Sequence, residues 1–300
     1  MAGVDINRTT AGVNLPPDVA SEIWSETTES SAAMQLARQV TLPGNGISVP
    51  IVTGDAEADW VAETDEKPVS RSTFSNKEMT PYTLAVIEPF SNQFRRDLPA
   101  LYNELVRRLP FALARKFDST VFGLAAGAPG ANFDTLGGAT EVGIDGNTYA
   151  GLVAADQAVA TGGGVLNGWA VAPQGRGLLL GATATDGRPL FINNVQTDGA
   201  VPALLGAPVY VSKAVYAADA DGGGAGTDAQ LGYAGDWTGA VYGTVEGVQI
   251  SISDQATIND GGTALNLWQR NMFAVRAEIE VGFRIRDLDY FVKLTDATQA

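Results

Sequence analysis

From Phe273 onward the odd-numbered positions read Phe273, Val275, Ala277, Ile279, Val281, Phe283 and Ile285, while the even ones include Arg276, Glu278, Glu280, Arg284 and Arg286. A period of two over this length predicts a strand buried on one face. The turn Arg286-Asp287-Leu288-Asp289 follows, and then a short strand over Tyr290–Leu294. Residues 98–125 keep a different period. Leu98, Leu101, Leu105, Leu109, Ala112, Leu113, Phe117, Val121 and Leu124 recur at spacings of three and four, which predicts a helix. Asp97 suits its N-cap and Pro99 its first turn. Such a helix spans ~40 Å, long for a compact domain. Pro110 lies inside it and is expected to kink it. The opposite face carries Glu104, Arg107, Arg108, Arg115 and Lys116, with Arg95 and Arg96 just upstream.

Two β-type runs, Gln39–Leu42 and Ile47–Val52, flank Pro43-Gly44-Asn45-Gly46, which predicts a hairpin between them. Residues 53–80 are polar. Their first half holds Asp55, Glu57, Asp59, Glu63, Asp65 and Glu66, with Trp60 and Phe74 in the same stretch. Thr83–Phe90 returns to β character. The pattern predicts a two-stranded excursion that leaves the body and comes back, about twelve residues and ~40 Å each way. A lone hairpin of that length is marginal in water and needs a surface to lie on, such as another subunit's.

Gly127–Gly146 reads as a loop. Residues 148–160 read as a helix, Trp169–Ala172 as a buried strand and Gly175–Thr183 as a short helix. Val209–Val211 and Ala240–Ile252 read as strands, separated by the Gly-rich loop Ala217–Gln230. The fold class is therefore α+β, with a mixed α/β unit over 147–264 inserted between two parts of another, 30–146 plus 265–300. Residues 1–15 are polar and aperiodic. Pro16-Pro17-Asp18 then starts a helix with Val19, Ile23 and Thr27 on one side, so 1–29 reads as an arm.

Composition removes most catalytic plans. The 300 residues include no histidine and no cysteine. A Ser-His-Asp triad, a Cys nucleophile and a His or Cys zinc site are thereby excluded, and disulfides with them. A carboxylate-based hydrolase stays open on chemistry alone, but it needs two carboxylates ~5–9 Å apart in a cleft, and no pair stands out. No catalytic residue, cofactor or metal is expected. Asp219-Ala220-Asp221-Gly222-Gly223-Gly224 with Asp228 has alternate carboxylates followed by glycine, as Ca²⁺ loops do, but lacks their downstream Glu and reads as loop. The glycines at 162–164 lack the Lys of a phosphate loop.

Acidic residues outnumber basic ones by thirty-four to nineteen, a net −15, which argues against tight binding of nucleic acid. It is compatible with enclosing it. Charged residues are only 18% of the chain, a level that suits a subunit whose faces are covered by neighbours. The start has no apolar core of a signal peptide, and no apolar run reaches the ~20 residues of a membrane span.

The order of these pieces resembles the tailed-bacteriophage major capsid protein family, the Hong Kong 97 fold. Leu15-Pro16-Pro17 with its short helix looks like that family's N-terminal arm. The stretch from Ala62-Glu63 through Lys67-Pro68, then Ser70, Thr73, Phe74 and Ser75, is similar to its extended E-loop, here 53–80. Residues 98–125 resemble the spine helix of the peripheral (P) domain, and 147–264 the axial (A) domain. Asn271-Met272, Arg276, Glu278 and Phe291-Val292-Lys293-Leu294 resemble the strands that complete the P domain.

That resemblance implies a subunit of an icosahedral shell of hexamers and pentamers that encloses double-stranded DNA without reading its sequence. The chain would be assembled in the host cytoplasm and end in the virion. A cellular compartment shell of the encapsulin type is the alternative. Expected partners are further copies of the chain, a portal and a decoration protein. No long charged helix precedes the arm, where some members carry a built-in scaffold. This implies a separate scaffolding protein or a shortened product. Contacts between subunits are expected to join Asp59, Glu63, Asp65 and Glu66 to Arg95, Arg96, Arg107, Arg108 and Arg115. The resemblance also implies a covalent cross-link between Lys67 and Asn271, with Glu278 as general base.

Overall fold

A computed structural model describes residues 31–54, 56–61, 66–67, 69–93, 99–125, 127–183, 188–191, 203–219 and 228–298. The arm 1–29, the Asp97 cap and most of the loop Ala217–Gln230 lie outside them.

The long helix α2 (Pro99–Val121) runs through Pro110 without interruption. Leu109 and Leu113 are buried against Phe90, Phe273, Val275 and Ile279. Those residues belong to a five-stranded sheet. Its centre is β14 (Met272–Ile285), which pairs with β4 (Tyr82–Ser91) along one edge and with β10 (Ala240–Thr244) and β11 (Gln249–Ser253) along the other. The alternation read from the sequence holds: 273, 275, 277, 279, 281, 283 and 285 are all buried, while Arg276 and Glu280 are exposed. Ala240–Ile252 is two strands and not one. Val245–Val248 carries the chain from one stretch of β14 to another, because β10 meets residues 281–285 and β11 meets 274–278.

The second sheet runs β5-β15-β9-β6-β8-β7. It comprises β5 (Thr140–Asp145), β6 (Gly168–Val171), β7 (Ala203–Leu204), β8 (Ala207–Val211), β9 (Gln230–Gly235) and β15 (Phe291–Thr298). Helix α3 (Thr148–Thr161) packs Leu152, Ala155 and Val159 onto Trp169, Val171 and Leu231. A short helix, α4 (Pro173–Gly181), follows β6. Strand β5 falls inside the stretch read as loop. Its Thr-Glu-Val-Gly-Ile-Asp text is weak by itself, and parallel pairing with β15 makes it a strand. Strand β9 hid behind the glycine-rich loop for the same reason: Gly232 and Gly235 lower its propensity, yet every residue is buried between β15 and β6.

Sheet membership crosses both unit boundaries read from composition. Strands β5 and β15 leave the first unit for the second sheet, and β10 and β11 do the reverse. The sheets share one core, where Phe283 of β14, Tyr233 of β9, Phe291 of β15, Trp237 and Phe122 meet. Each such side chain contributes about 1.5–3 kcal/mol by leaving water, so the two layers are strongly joined.

The turn at Pro43–Gly46 does not close a hairpin between its flanking strands. Strand β1 (Arg38–Thr41) adds in parallel to β10, and β2 (Ile47–Gly54) pairs with β3 (Thr73–Met79). Gly46, with φ of 81°, turns the chain out of the body, and a Cβ there would lie 2.5 Å from the Met79 carbonyl oxygen. The excursion thus starts at Ile47. Its ladder is about 23 Å long and stops where the acidic stretch begins, because Asp and Glu are poor strand formers. A second small hairpin, β12 (Thr257–Asp260) with β13 (Thr263–Asn266), covers one end of β14 through Leu265 and Met272.

Candidate inter-subunit surface

The β2–β3 hairpin is a sheet of its own, separate from both body sheets. Beyond it, Trp60 and Val69 are exposed, as is Phe74 on β3. The backbone N–H of Glu57 donates to the Ser70 hydroxyl at 2.8 Å, which draws the two limbs of the loop together. Asp59, Glu66 and Lys67 are exposed on it. Glu63, Asp65, Arg95 and Arg96 lie outside the described residues. Apolar side chains held in water on a projecting arm have no stabilising role in one isolated chain.

Helix α2 presents the complementary charge. Its buried stripe is Leu109, Leu113, Ala114, Phe117 and Val121, and Arg107, Arg108, Arg115 and Lys116 face away from it, exposed. The first sheet has an open face as well. There Arg276, Glu278 and Glu280 of β14 stand across from Ile87, Ala85 and Thr83 of β4. Arg276 and Glu278 form an ion pair at 3.1 Å.

Asn271 sits just before β14 in the left-handed region, with φ of 57°, and is exposed. Its side-chain oxygen accepts from Asn92 Nδ2 at 3.2 Å, and its backbone oxygen accepts from the Asn92 N–H at 3.1 Å. Trp268 is exposed in the preceding turn. Glu278 lies seven residues further along an extended strand, about 23 Å from Asn271. The two do not meet within one chain.

Two residues to which the sequence reading gave no role hold the frame in place. Asp118, on the buried side of α2, is joined to the start of the short helix α1 (Ala32–Leu36) and to a 3-10 turn at Lys213–Val215. Its carboxylate accepts from Ser31 Oγ at 2.5 Å, from the N–H groups of Ala32 and Ala33 at 3.0 and 3.3 Å, and from Ser212 Oγ at 3.0 Å. Burial pushes its carboxyl up to about 6, against the opposing pull of those hydrogen bonds. A charged residue at a stripe position between Phe117 and Val121 was the visible signal. Arg284 is the other, an even-numbered strand position that looked like plain solvent-facing polarity.

Among the described residues there is no group of three carboxylates, His or Cys able to hold a metal, and no helix long and apolar enough to cross a membrane.

The family model described as the phage capsid family matches residues 11–296. The probable major capsid protein gp17 of Mycobacterium phage L5 is 31% identical over 317 residues, covering 95% of this chain and 91% of that protein. A solved chain from Microbacterium phage Oxtober96 superposes with a TM-score of 0.71 at 21% identity, covering 98% of this chain and 96% of its own. A chain from the capsid of a native GTA particle superposes with a TM-score of 0.65 at 15% identity, covering 99% and 96%. The chain belongs to the phage capsid family.

Proposed function

We propose that this chain is the major capsid protein of a tailed bacteriophage, and that its hairpin arm lies across the body of a neighbouring copy in a shell of hexamers and pentamers. The observation that carries this reading is the arm itself: a separate two-stranded sheet that ends in exposed Trp60, Val69 and Phe74. Covering those side chains in a neighbour supplies cohesion, whereas the exposed ions fix orientation. Exposed pairs are worth only ~0.2–1 kcal/mol each and are screened beyond ~8 Å. The acidic loop with Asp59, Glu63, Asp65 and Glu66 then faces the basic residues Arg95, Arg96, Arg107, Arg108 and Arg115 of another copy. In this reading 1–29 is the N-terminal arm, 147–264 is the A domain, and 30–146 plus 265–300 form the P domain, with 53–80 as its E-loop. The shell encloses double-stranded DNA, in the virion, with a separate scaffold and a portal as further partners.

Electron microscopy of the purified protein after size-exclusion chromatography tests it. Closed shells, or discrete hexamers and pentamers, are expected, and shells recovered from infected cells should hold DNA and not a packaged enzyme. A chain that stays monomeric at every concentration and salt, even when co-expressed with a scaffold, would remove the reading.

The cross-link is a second, covalent layer of the same proposal. The Asn92 amide that donates to the Asn271 side-chain oxygen polarises that carbonyl for attack. The Lys67 amine would add to the Asn271 amide carbon, and Glu278 would take the amine proton and pass it to the amide nitrogen as the C–N bond breaks, so that ammonia leaves. Since Asn271 and Glu278 are about 23 Å apart along β14, the base and the amide must come from different copies.

A further inference from the structure

Side chains of three elements meet at the root of the hairpin arm. Arg284, on β14, uses its guanidinium fork in three directions. Nε donates to the Glu78 backbone oxygen of β3 at 2.6 Å, Nη1 to Asp134 Oδ1 at 2.7 Å and Nη2 to Asn132 Oδ1 at 2.9 Å. Asp134 is held in turn by the Ile285 N–H at 3.1 Å and by Lys77 of β3 at 3.6 Å. Lys77 also donates to the Ile285 backbone oxygen at 2.8 Å. Asn132 reaches the connection between β3 and β4, where its Nδ2 donates to Thr80 Oγ1 at 3.0 Å and its N–H to the Tyr82 hydroxyl at 3.2 Å.

The covalent path at the same place is narrow. The chain leaves the body through Gly46 and returns through Thr80-Pro81, and Met79 closes the ladder against Ile47. Proline offers no N–H there, so backbone pairing cannot continue from the arm into the body sheet. A ladder separated from the body by two short connections is free to swing unless side chains span the gap. Lys77 and Glu78 are the polar points where they do, beside the Met79 side chain, which is buried over Gly243 and Gly282 of the body sheet.

We propose that Arg284, Asp134, Asn132 and Lys77 form a brace that fixes the angle of the β2–β3 arm to the body before any neighbour is met. The brace rests on the arm being the contact between copies for its role in assembly, but not for its existence. The fork is suited to this task because a planar guanidinium holds direction as well as charge. An arm fixed at one angle is presented to its neighbour with its orientational freedom already lost, which favours a single shell geometry.

The absence of cysteine allows a direct test on the unassembled subunit. Ser75→Cys on β3 and Gln157→Cys on α3 place one spin label on the arm and one on the body, and their separation is read by pulsed dipolar spectroscopy. The parent should give one narrow distance. Lys77→Met removes one of the arm's two polar ties and leaves Arg284 bound to Asp134 and to the Glu78 backbone oxygen. Asp134→Asn removes the charge that both cations share. In each, the single narrow distance should be lost. A variant that is folded and keeps that distance overturns the brace, whatever its shells look like. A variant that loses the distance yet closes shells of parental size supports the brace and counts against the arm as the contact that sets shell geometry.

Discussion

Asp118 accepts a hydrogen bond from the Ser31 hydroxyl at 2.5 Å, although 87 positions separate them in the chain. The same carboxylate receives the first N–H groups of helix α1 and the Ser212 hydroxyl. One buried group therefore joins the long helix, the start of α1 and the turn at Lys213–Val215.

This linkage has a pH signature with a definite sign. In the native state Asp118 keeps its proton up to about pH 6, whereas its ordinary value is 3.8. Between these values the folded chain binds more protons than the unfolded one. The stability contributed by this group is thus fully present below about pH 4 and is lost as the pH rises through about 6. The shift corresponds to about 3 kcal/mol. Urea unfolding of the unassembled subunit and of Asp118→Asn at pH 7 and pH 4 should show the parent's advantage growing by about 2–3 kcal/mol on acidification. A difference that does not change with pH would mean that the carboxylate is ionised in the fold throughout.

The spacing of residues made the long helix and the central strand legible, since Leu109, Leu113, Phe117 and the odd positions from 273 to 285 are buried as their periods require. Periodicity reports which face is covered, but not by what. Strands β5 and β9 carry little propensity of their own and exist through partners distant in sequence, so they were invisible locally. The same limit applied at Pro43–Gly46, where a genuine turn links strands that pair elsewhere. Of the surface residues, the exposed Asp59, Glu66, Arg107, Arg108 and Arg115 could be read as charge segregation. Arg284 could not, because a fork that binds three residues looks in sequence like any polar residue of a half-buried strand.

Two glycines should respond to alanine with opposite signs. Gly123 follows α2 with φ of 74°, and a Cβ there would sit 2.5 Å from the Gly137 Cα and 2.9 Å from its nitrogen. Those atoms are backbone and cannot step aside. The left-handed conformation alone costs about 1–2 kcal/mol for a residue with a Cβ, so Gly123→Ala should lower stability by about 2 kcal/mol or more. Gly177 lies in α4 with open space where its Cβ would be. Gly177→Ala should raise stability by about 0.5–1 kcal/mol through helix propensity. Thermal unfolding of both variants beside the parent measures the contrast.

Reversing charge on the exposed face of α2 should separate folding from assembly. Arg107→Glu with Arg108→Glu leaves Leu109 and Leu113 in their buried positions, so the secondary structure and melting temperature of the subunit should be nearly unchanged. Like charges would then meet the acidic loop of a neighbour, and encounter should slow most at low salt, where screening is weakest. Sedimentation should find subunits and few shells. Shells that form at the parental rate and yield would show that this helix face meets solvent and not the loop.

The covalent proposal makes a prediction that does not depend on resolving the shell. Asn271 is exposed, left-handed and bound at its side-chain oxygen by Asn92, whereas Glu278 is on the adjoining strand with Arg276 beside it. Lys67 is exposed on the loop in the single chain, and a contact between copies is what would bring it to a neighbour's Asn271 and Glu278. Bond formation should therefore follow shell closure and not precede it. Mature shells boiled in SDS should run as a ladder of multimers, and unassembled subunits as one band. Lys67→Arg keeps the charge but cannot form the bond, so its shells should close and run as a single band. Glu278→Gln should close normally and join slowly. A single band from mature parental shells would exclude the bond and leave Asn271 as a strand-entry residue held by Asn92.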